Sequence, residues 1–180
     1  MKIKVNRQIS MELIDATHSL SIFTMVDQNR FFLRHWLAFV DKMDSVNFAE
    51  NFVLGTMKRN QDGQEYAFVI KDKDIPVGRI GIYKIDTQNK IGEIGYWLIE
   101  EAQGRGIITS ACKTLVDFCF QDLNLHRIEI KCGTENYKSQ AVPMKLGFKK
   151  EGIIREGEWL HEKYIDLYLY SLLKSEYKNP

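Results

Sequence analysis

The 180 residues are 44% hydrophobic and carry a formal net charge of +1, enough for one domain with a full core and too few for two comfortable ones. Near-neutral charge, with no basic run interleaved with aromatics, excludes the electrostatic footprint of a nucleic-acid binder. No apolar run reaches membrane-spanning length, and Met1 to Ser10 alternates basic and apolar residues without the apolar core of a secretory signal, so no membrane partner is expected and the expected address is cytoplasmic.

Residues Ile9 to Ile14 predict a first strand, with Asp15 as the cap of a helical stretch. Asp15 to Asn29 and Arg30 to Val40 carry apolar residues at helical spacing, the second through Phe32, Leu33, Trp36, Leu37 and Val40, and Ser45 to Asn60 predicts another helix. A helical block ahead of most of the strands can pack on a sheet edge or form one wall of a cleft. After a turn at Gln61, Asp62 and Gly63, strands are predicted at Tyr66 to Ile70, Val77 to Ile85 and Ile91 to Ile99. Short polar turns between them suggest an antiparallel meander. Gly78 and Gly81 either weaken the second of these strands or mark a close approach. On the third, Glu93 and Trp97 share one face, and Ile94, Tyr96 and Leu98 the other.

Glu101 to Ser110, reading Glu-Ala-Gln-Gly-Arg-Gly-Ile-Ile-Thr-Ser, is a glycine-punctuated turn from that strand into a helix, whose apolar stripe runs through Ile108, Ala111, Cys112, Leu115, Val116, Cys119 and Leu123. The first helical turn has backbone N–H groups without intrahelical partners, and the helix dipole adds partial positive charge there. Gly104 and Gly106 allow close approach of a phosphate and positive φ, and Arg105 adds a full charge. The same glycines also suit a strand-to-helix turn for geometry alone. No Lys-Ser or Lys-Thr pair follows, and the three-glycine dinucleotide fingerprint is incomplete.

His126 to Cys132 predicts a further strand, and a helix begins within Gly133 to Asn136 and ends at Gly147, a good residue for the left-handed position after a helix. Phe148 to Ile154 and Lys163 to Leu173 read as a final strand pair, joined by a loop carrying Arg155, Glu156, Glu158, Trp159, His161 and Glu162. Cys112, Cys119 and Cys132 form an odd set without metal spacing, so no metal is expected and the thiols are read as buried and reduced. Cys132 closes a strand near the glycine turn, which leaves a role beyond packing open to it.

This order of elements, together with Gly-Glu-Ile-Gly-Tyr-Trp-Leu at Gly92 to Leu98, Gln-Gly-Arg-Gly at Gln103 to Gly106, Asn136 with Ser139, Lys-Leu-Gly-Phe at Lys145 to Phe148, and Asp166 with Tyr168, resembles the GNAT acetyltransferase superfamily. The resemblance is greatest to its ribosomal-protein N-acetyltransferase branch. It implies one α/β (α+β) domain over residues 1–180, a mixed, mostly antiparallel twisted sheet flanked by helices, with acetyl-CoA as cosubstrate. It also implies pyrophosphate contacts from the backbone of Gln103, Gly104, Arg105, Gly106, Ile107 and Ile108, and a pantetheine arm against Leu98 and Ile99. There the strand splays from its neighbour, and a backbone N–H holds the thioester oxygen as it gains charge. Asn136 would bond the pantetheine end, a role compatible with capping its helix.

The sequence departs from the wider family in three places. Glu101 stands at the head of the turn and is expected to point to solvent. Pro143 stands seven residues after Asn136, where many members place a tyrosine acid. A proline in a helix interior costs about 3 kcal/mol, so that helix is expected to be short, kinked or irregular. Ser139 is then the nearest proton donor to the leaving thiolate, although a serine in a first turn also bonds backbone. Third, no residue announces itself as the base. Glu158 is the first choice and Glu93 the second, against the plain reading of loop carboxylates as solvated charge; His35 and His161 match no motif.

An α-amino group, with a pKa of about 7.7–8.0 against about 10.4 for lysine, needs little help from a base. The expected activity is transfer of acetyl to a primary amine, the N-terminal α-amine of a ribosomal protein first. The alternatives are a small amine such as a polyamine or an antibiotic, or a non-catalytic acyl-CoA-binding sensor. Tyr164, Tyr168 and Tyr170 suit either a core or a partner subunit, which leaves a homo-oligomer open.

Overall fold

Side chains that alternate between core and solvent set the strands, and in the computed structural model, which describes residues 1–177, eight of them join in one sheet. The last three residues of the expected 1–180 domain lie outside the described ones. The strands are β1 (Lys2–Lys4), β2 (Ile9–Leu13), β3 (Tyr66–Asp72), β4 (Ile75–Asp86), β5 (Ile91–Leu98), β6 (Arg127–Gly133), β7 (Lys149–Leu160) and β8 (Lys163–Leu173), in the spatial order β1-β2-β3-β4-β5-β6-β8-β7. β3 to β5 form the expected antiparallel meander, and β2, from before the helical block, adds to its edge antiparallel to β3. The basic-apolar alternation at the start is itself a short edge strand, β1, paired with β2.

β3 is apolar on both faces and is covered on both, so its apolar run is continuous rather than alternating. Phe68 and Ile70 meet α4 (Ile107–Gln121) through Ala111, Cys112, Leu115 and Cys119, whereas Ala67 and Val69 meet α1 (Ser19–Gln28) and α3 (Val46–Gln61) through Ile22, Val26, Ala49 and Val53. Each such fully buried large side chain contributes about 1.5–3 kcal/mol. The three cysteines are buried free thiols, Cys112 and Cys119 on the apolar stripe of α4 and Cys132 on β6. No helix among the described residues is long and apolar enough to cross a membrane.

The helical block differs from its periodicity. Asp15 accepts the Thr17 N–H at 2.9 Å and caps a single 3-10 turn, Ala16–His18, that leads into α1. Arg30 to Val40 does not form one helix; it makes one turn, α2 (Arg30–Leu33), and later a second 3-10 turn, Ala38–Asp41. The Arg30 guanidinium donates to the carbonyls of Val40 at 2.6 Å and Met43 at 2.7 Å, and Arg34 holds Asp41 through two 3.0 Å bonds. These side chains bind the chain in its folded-back path, and Phe32, Trp36 and Leu37 line a cleft. Ser45 caps α3 through the Phe48 N–H at 3.2 Å, matching the predicted boundary within a residue.

The expected loop after Ile154 is also strand. β7 continues to Leu160, with a bulge between Ile154 and Glu158 where Glu156 takes φ 51° and donates its N–H to Asp166 at 2.7 Å. His161 and Glu162, at φ 49° and 63°, then make a tight turn with both central residues left-handed, the kind whose twist matches a hairpin. Glu158 therefore sits on a paired strand opposite Ile165.

Gly78 marks a close approach: a Cβ there would lie 2.2 Å from the Trp97 carbonyl oxygen and 2.9 Å from Leu98 Cα. Gly78→Ala must push β5 away from β4 and is expected to cost about 1–3 kcal/mol, read as a fall in the urea midpoint. Gly152→Ala, where an added Cβ meets nothing within 4 Å, is expected to leave the midpoint nearly unchanged.

Candidate active site

β5 and β6 are parallel neighbours for only three residues, Ile91, Gly92 and Glu93 against Arg127, Ile128 and Glu129. Beyond Glu93 the two strands part, and the gap opens into a cleft of about 1220 Å³ between Ile94 to Leu98 on one side and Ile130 to Gly133 on the other. Along a strand, successive N–H groups point to opposite neighbours. The Ile99 N–H is bonded to the Val77 carbonyl on the β4 side at 2.9 Å, so the Leu98 N–H faces the gap.

One end of the cleft is the glycine turn. Gly104 and Gly106 take φ 73° and 72°, and nothing lies within 4 Å of an added Cβ at either. Gly106 is the N-cap of α4, and the first backbone bond into the helix runs from the Ser110 N–H to the Gly106 carbonyl at 3.0 Å. The N–H groups of Ile107, Ile108 and Thr109 are thus the helix's unpaired donors. Glu101 is exposed, as expected of a carboxylate at this place. Arg105 is half exposed and turns to β3, where its Nη2 lies 2.6 Å from Asp72; it ties the turn to the sheet. Lys138 donates to the Gln103 side chain at 3.2 Å and links the turn to α5 (Tyr137–Lys145).

The middle of the cleft holds a cluster of hydroxyls. Asn136 caps α5, its side-chain oxygen accepting the Ser139 N–H at 3.1 Å. Ser139 Oγ lies 3.3 Å from Cys132 Sγ and 3.4 Å from the Tyr96 oxygen, and the Tyr96 hydroxyl donates to the Ser139 carbonyl at 2.9 Å. Pro143 lies inside α5, which runs only nine residues and ends at Gly147 with φ 79°, the short helix its proline predicts. Burial, with Cys132 and Cys112 nearby, pushes the Tyr96 phenol well up. Burial also pushes the Cys132 thiol up, outweighing its hydrogen bonds with Ser139 and Tyr96. All three groups are neutral near pH 7.

Two carboxylates line the far end, and their surroundings drive them apart. Burial acts to raise Glu93, but the ammonium groups of Lys131 at 2.8 Å and Lys84 at 3.1 Å outweigh it and hold the carboxyl below its ordinary value. Glu158 goes the other way: burial raises it, the Glu93 charge raises it further, and only Lys84 opposes. Glu93 is a fixed anion, and Glu158 is the group whose proton can move.

The cleft is lined by every sequence-predicted site residue except Ile99 and Arg105. Tyr96 and Lys131 were missed. Tyr96 shares a strand face with Ile94 and Leu98 and reads there as core, and the Lys131 contact to Glu93 joins residues 38 apart in the chain. Among the described residues no cluster of His, Cys, Asp and Glu is placed to hold a metal ion.

The sequence model of the acetyltransferase (GNAT) domain family matches residues 12–149. The ribosomal-protein-serine acetyltransferase of Escherichia coli (strain K12) is 31% identical over 169 residues, covering 94% of each chain. The spermidine N(1)-acetyltransferase of Vibrio cholerae serotype O1 is 25% identical over 97% of this chain and 98% of its own. Among solved structures, RimL, a ribosomal L7/L12 alpha-N-protein acetyltransferase in complex with coenzyme A, superposes with a TM-score of 0.94 at 26% identity, over 98% of this chain and 99% of its own. Sequence match, sheet order and the parted strands agree: the chain belongs to the GNAT acetyltransferase family and is an N-acetyltransferase.

Proposed function

We propose that this enzyme transfers acetyl from acetyl-CoA to the α-amine at a protein N-terminus, a ribosomal protein being the acceptor. The observation that carries this reading is the division of labour between the two carboxylates. Glu93 is neutralised by two lysines, and Glu158, with no ion-pair partner among the described residues, remains to take one proton from one amine. A polyamine would bring several positive charges against Lys84 and Lys131, whereas an α-amine is already about a tenth unprotonated at neutral pH. The names of the Escherichia coli relative and of RimL support the same acceptor class.

The residues present fit the coenzyme. The open space above Gly104 and Gly106 and the free N–H groups at the start of α4 suit a pyrophosphate, with the backbone of Gln103, Arg105, Ile107 and Ile108 around it. Leu98 offers its N–H to the thioester oxygen, and Ile99 extends that wall. The Asn136 amide nitrogen, which the cap leaves free, bonds the pantetheine end. When bound, the coenzyme supplies the acetyl thioester. The chain's groups do the rest: Leu98 N–H stabilises charge on the carbonyl oxygen, Glu158 accepts the amine proton directly or through water, and Ser139 Oγ donates to the departing sulfur and is reprotonated from solvent. On this reading residues 1–180 are one catalytic domain acting in the cytoplasm.

Glu158→Gln is expected to lower kcat about 10²–10⁴-fold with the KM for acetyl-CoA within twofold. Because the Glu158 pKa lies above the ordinary carboxylate value, the wild-type rate is expected to fall on the acid side at a pH above about 4.5, as Glu158 takes up its proton. Glu93→Gln removes a neighbouring negative charge, lowers the Glu158 pKa and is expected to move that limb to lower pH; an unmoved limb would assign the titration to another group.

The acceptor is read by mass spectrometry of peptides with free Ser, Ala and Met N-termini mixed with spermidine and an aminoglycoside, after incubation with enzyme and acetyl-CoA. Acetyl on peptide α-amines is expected. Acetyl on spermidine or the aminoglycoside alone would keep the mechanism and overturn the acceptor.

A further inference from the structure

A proline inside a helix has no N–H to give, so the carbonyl four residues earlier loses its helical partner. In α5 the proline is Pro143 and that carbonyl belongs to Ser139. The partner comes from across the cleft: the Tyr96 hydroxyl on β5 donates to the Ser139 carbonyl at 2.9 Å. The same phenolic oxygen accepts from Ser139 Oγ at 3.4 Å. One side chain thus holds both ends of one serine, carbonyl and hydroxyl.

We propose that Tyr96 is the positioning residue of the proton donor, supplying the hydrogen bond that Pro143 withholds and so fixing Ser139 with its hydroxyl in the cleft. This rests on the reading of Ser139 as the group that protonates the departing sulfur. Tyr96 transfers no proton in the reaction. Its O–H stays on the phenol, which burial keeps neutral, and its bond to the carbonyl sets where the first turn of α5 stands. The second cleft neighbour of Ser139 Oγ, Cys132 at 3.3 Å, bounds the hydroxyl on its other side. Without Tyr96, the Ser139 carbonyl has neither a helical nor a cross-cleft donor, and a loosened first turn misplaces a hydroxyl whose distance to the sulfur decides the rate.

The pairing of a missing donor with a supplied one gives a test by compensation. Pro143→Ala restores an N–H four residues after Ser139, so it is expected to make Tyr96 dispensable. Steady-state kinetics on an N-terminal peptide are compared for Tyr96→Phe, Ser139→Ala, the Tyr96→Phe/Pro143→Ala pair and the Tyr96→Phe/Ser139→Ala pair, each first shown to melt as a folded protein. Tyr96→Phe is expected to lower kcat about tenfold, as loss of one orienting hydrogen bond would, with the KM for acetyl-CoA within twofold. Adding Pro143→Ala is expected to recover most of that loss, and adding Tyr96→Phe to Ser139→Ala to lower kcat no further. A full kcat in Tyr96→Phe beside a reduced one in Ser139→Ala would overturn the positioning role alone. A full kcat in both single variants would overturn it together with the reading of Ser139. Equal, multiplicative losses from Tyr96→Phe and Ser139→Ala would show that Tyr96 acts independently of the serine, and would overturn it as well.

Discussion

The parting of β5 from β6 is the constraint on which the rest of the structure depends. Three residues of parallel pairing, Ile91 to Glu93, join the two halves of the sheet, and beyond them alternate residues of β5 turn their backbone groups to a side without a neighbouring strand. A buried backbone N–H without a partner is costly, so such a gap persists only where something else fills it. Here the two edges are held apart from behind. α4 packs its apolar stripe across β3, β4 and β5 on one face, and the close contact at Gly78 presses β5 onto β4 on the side away from the gap. The exposed edge then presents the Leu98 N–H, and the turn that follows delivers the unpaired donors at the start of α4 to the same space. Both sets of donors thus face one cleft, and the splay brings them together.

Charge is distributed along that line in keeping with the chemistry. Arg105 spends its charge on Asp72, so at the glycine turn backbone dipoles rather than its guanidinium face the cleft. The middle is neutral, with the Tyr96 phenol and Cys132 thiol both pushed up by burial, which suits a place where a departing thiolate must pick up a proton. At the far end of the cleft Lys84 and Lys131 settle Glu93 as an anion, and burial together with that fixed charge raises Glu158. Two carboxylates of the same type are shifted in opposite directions by their surroundings alone.

Much of this was legible in the residues. The glycine turn, the strand before it and the stripe of the helix after it are local patterns, and each lies where its period places it. Asn136 and Gly147 likewise bracket α5 as cap residues should. What escaped depended on contacts between distant positions. Arg30 to Val40 has helical periodicity, yet Arg30 bonds the carbonyls of Val40 and Met43 and the chain folds back. Glu158 reads as a loop residue because His161 and Glu162 form the hairpin turn without the asparagine or glycine that usually announces left-handed φ. Pro143 is visible as a problem in the sequence, but its answer, the Tyr96 hydroxyl on the Ser139 carbonyl, spans 43 positions.

The most direct measurement of the central claim is a crystal structure of this chain with acetyl-CoA bound. The pyrophosphate is expected over the N–H groups from Gly104 to Ile108, the pantetheine arm along the open edge of β5, and the acetyl oxygen within hydrogen-bond distance of the Leu98 N–H, with Glu158 and Ser139 on opposite sides of the thioester carbon. A coenzyme seated elsewhere, such as in the adjoining hollow beside Arg59 and Tyr83, or lying in the cleft with its acetyl group turned away from Leu98 and Ser139, would contradict it.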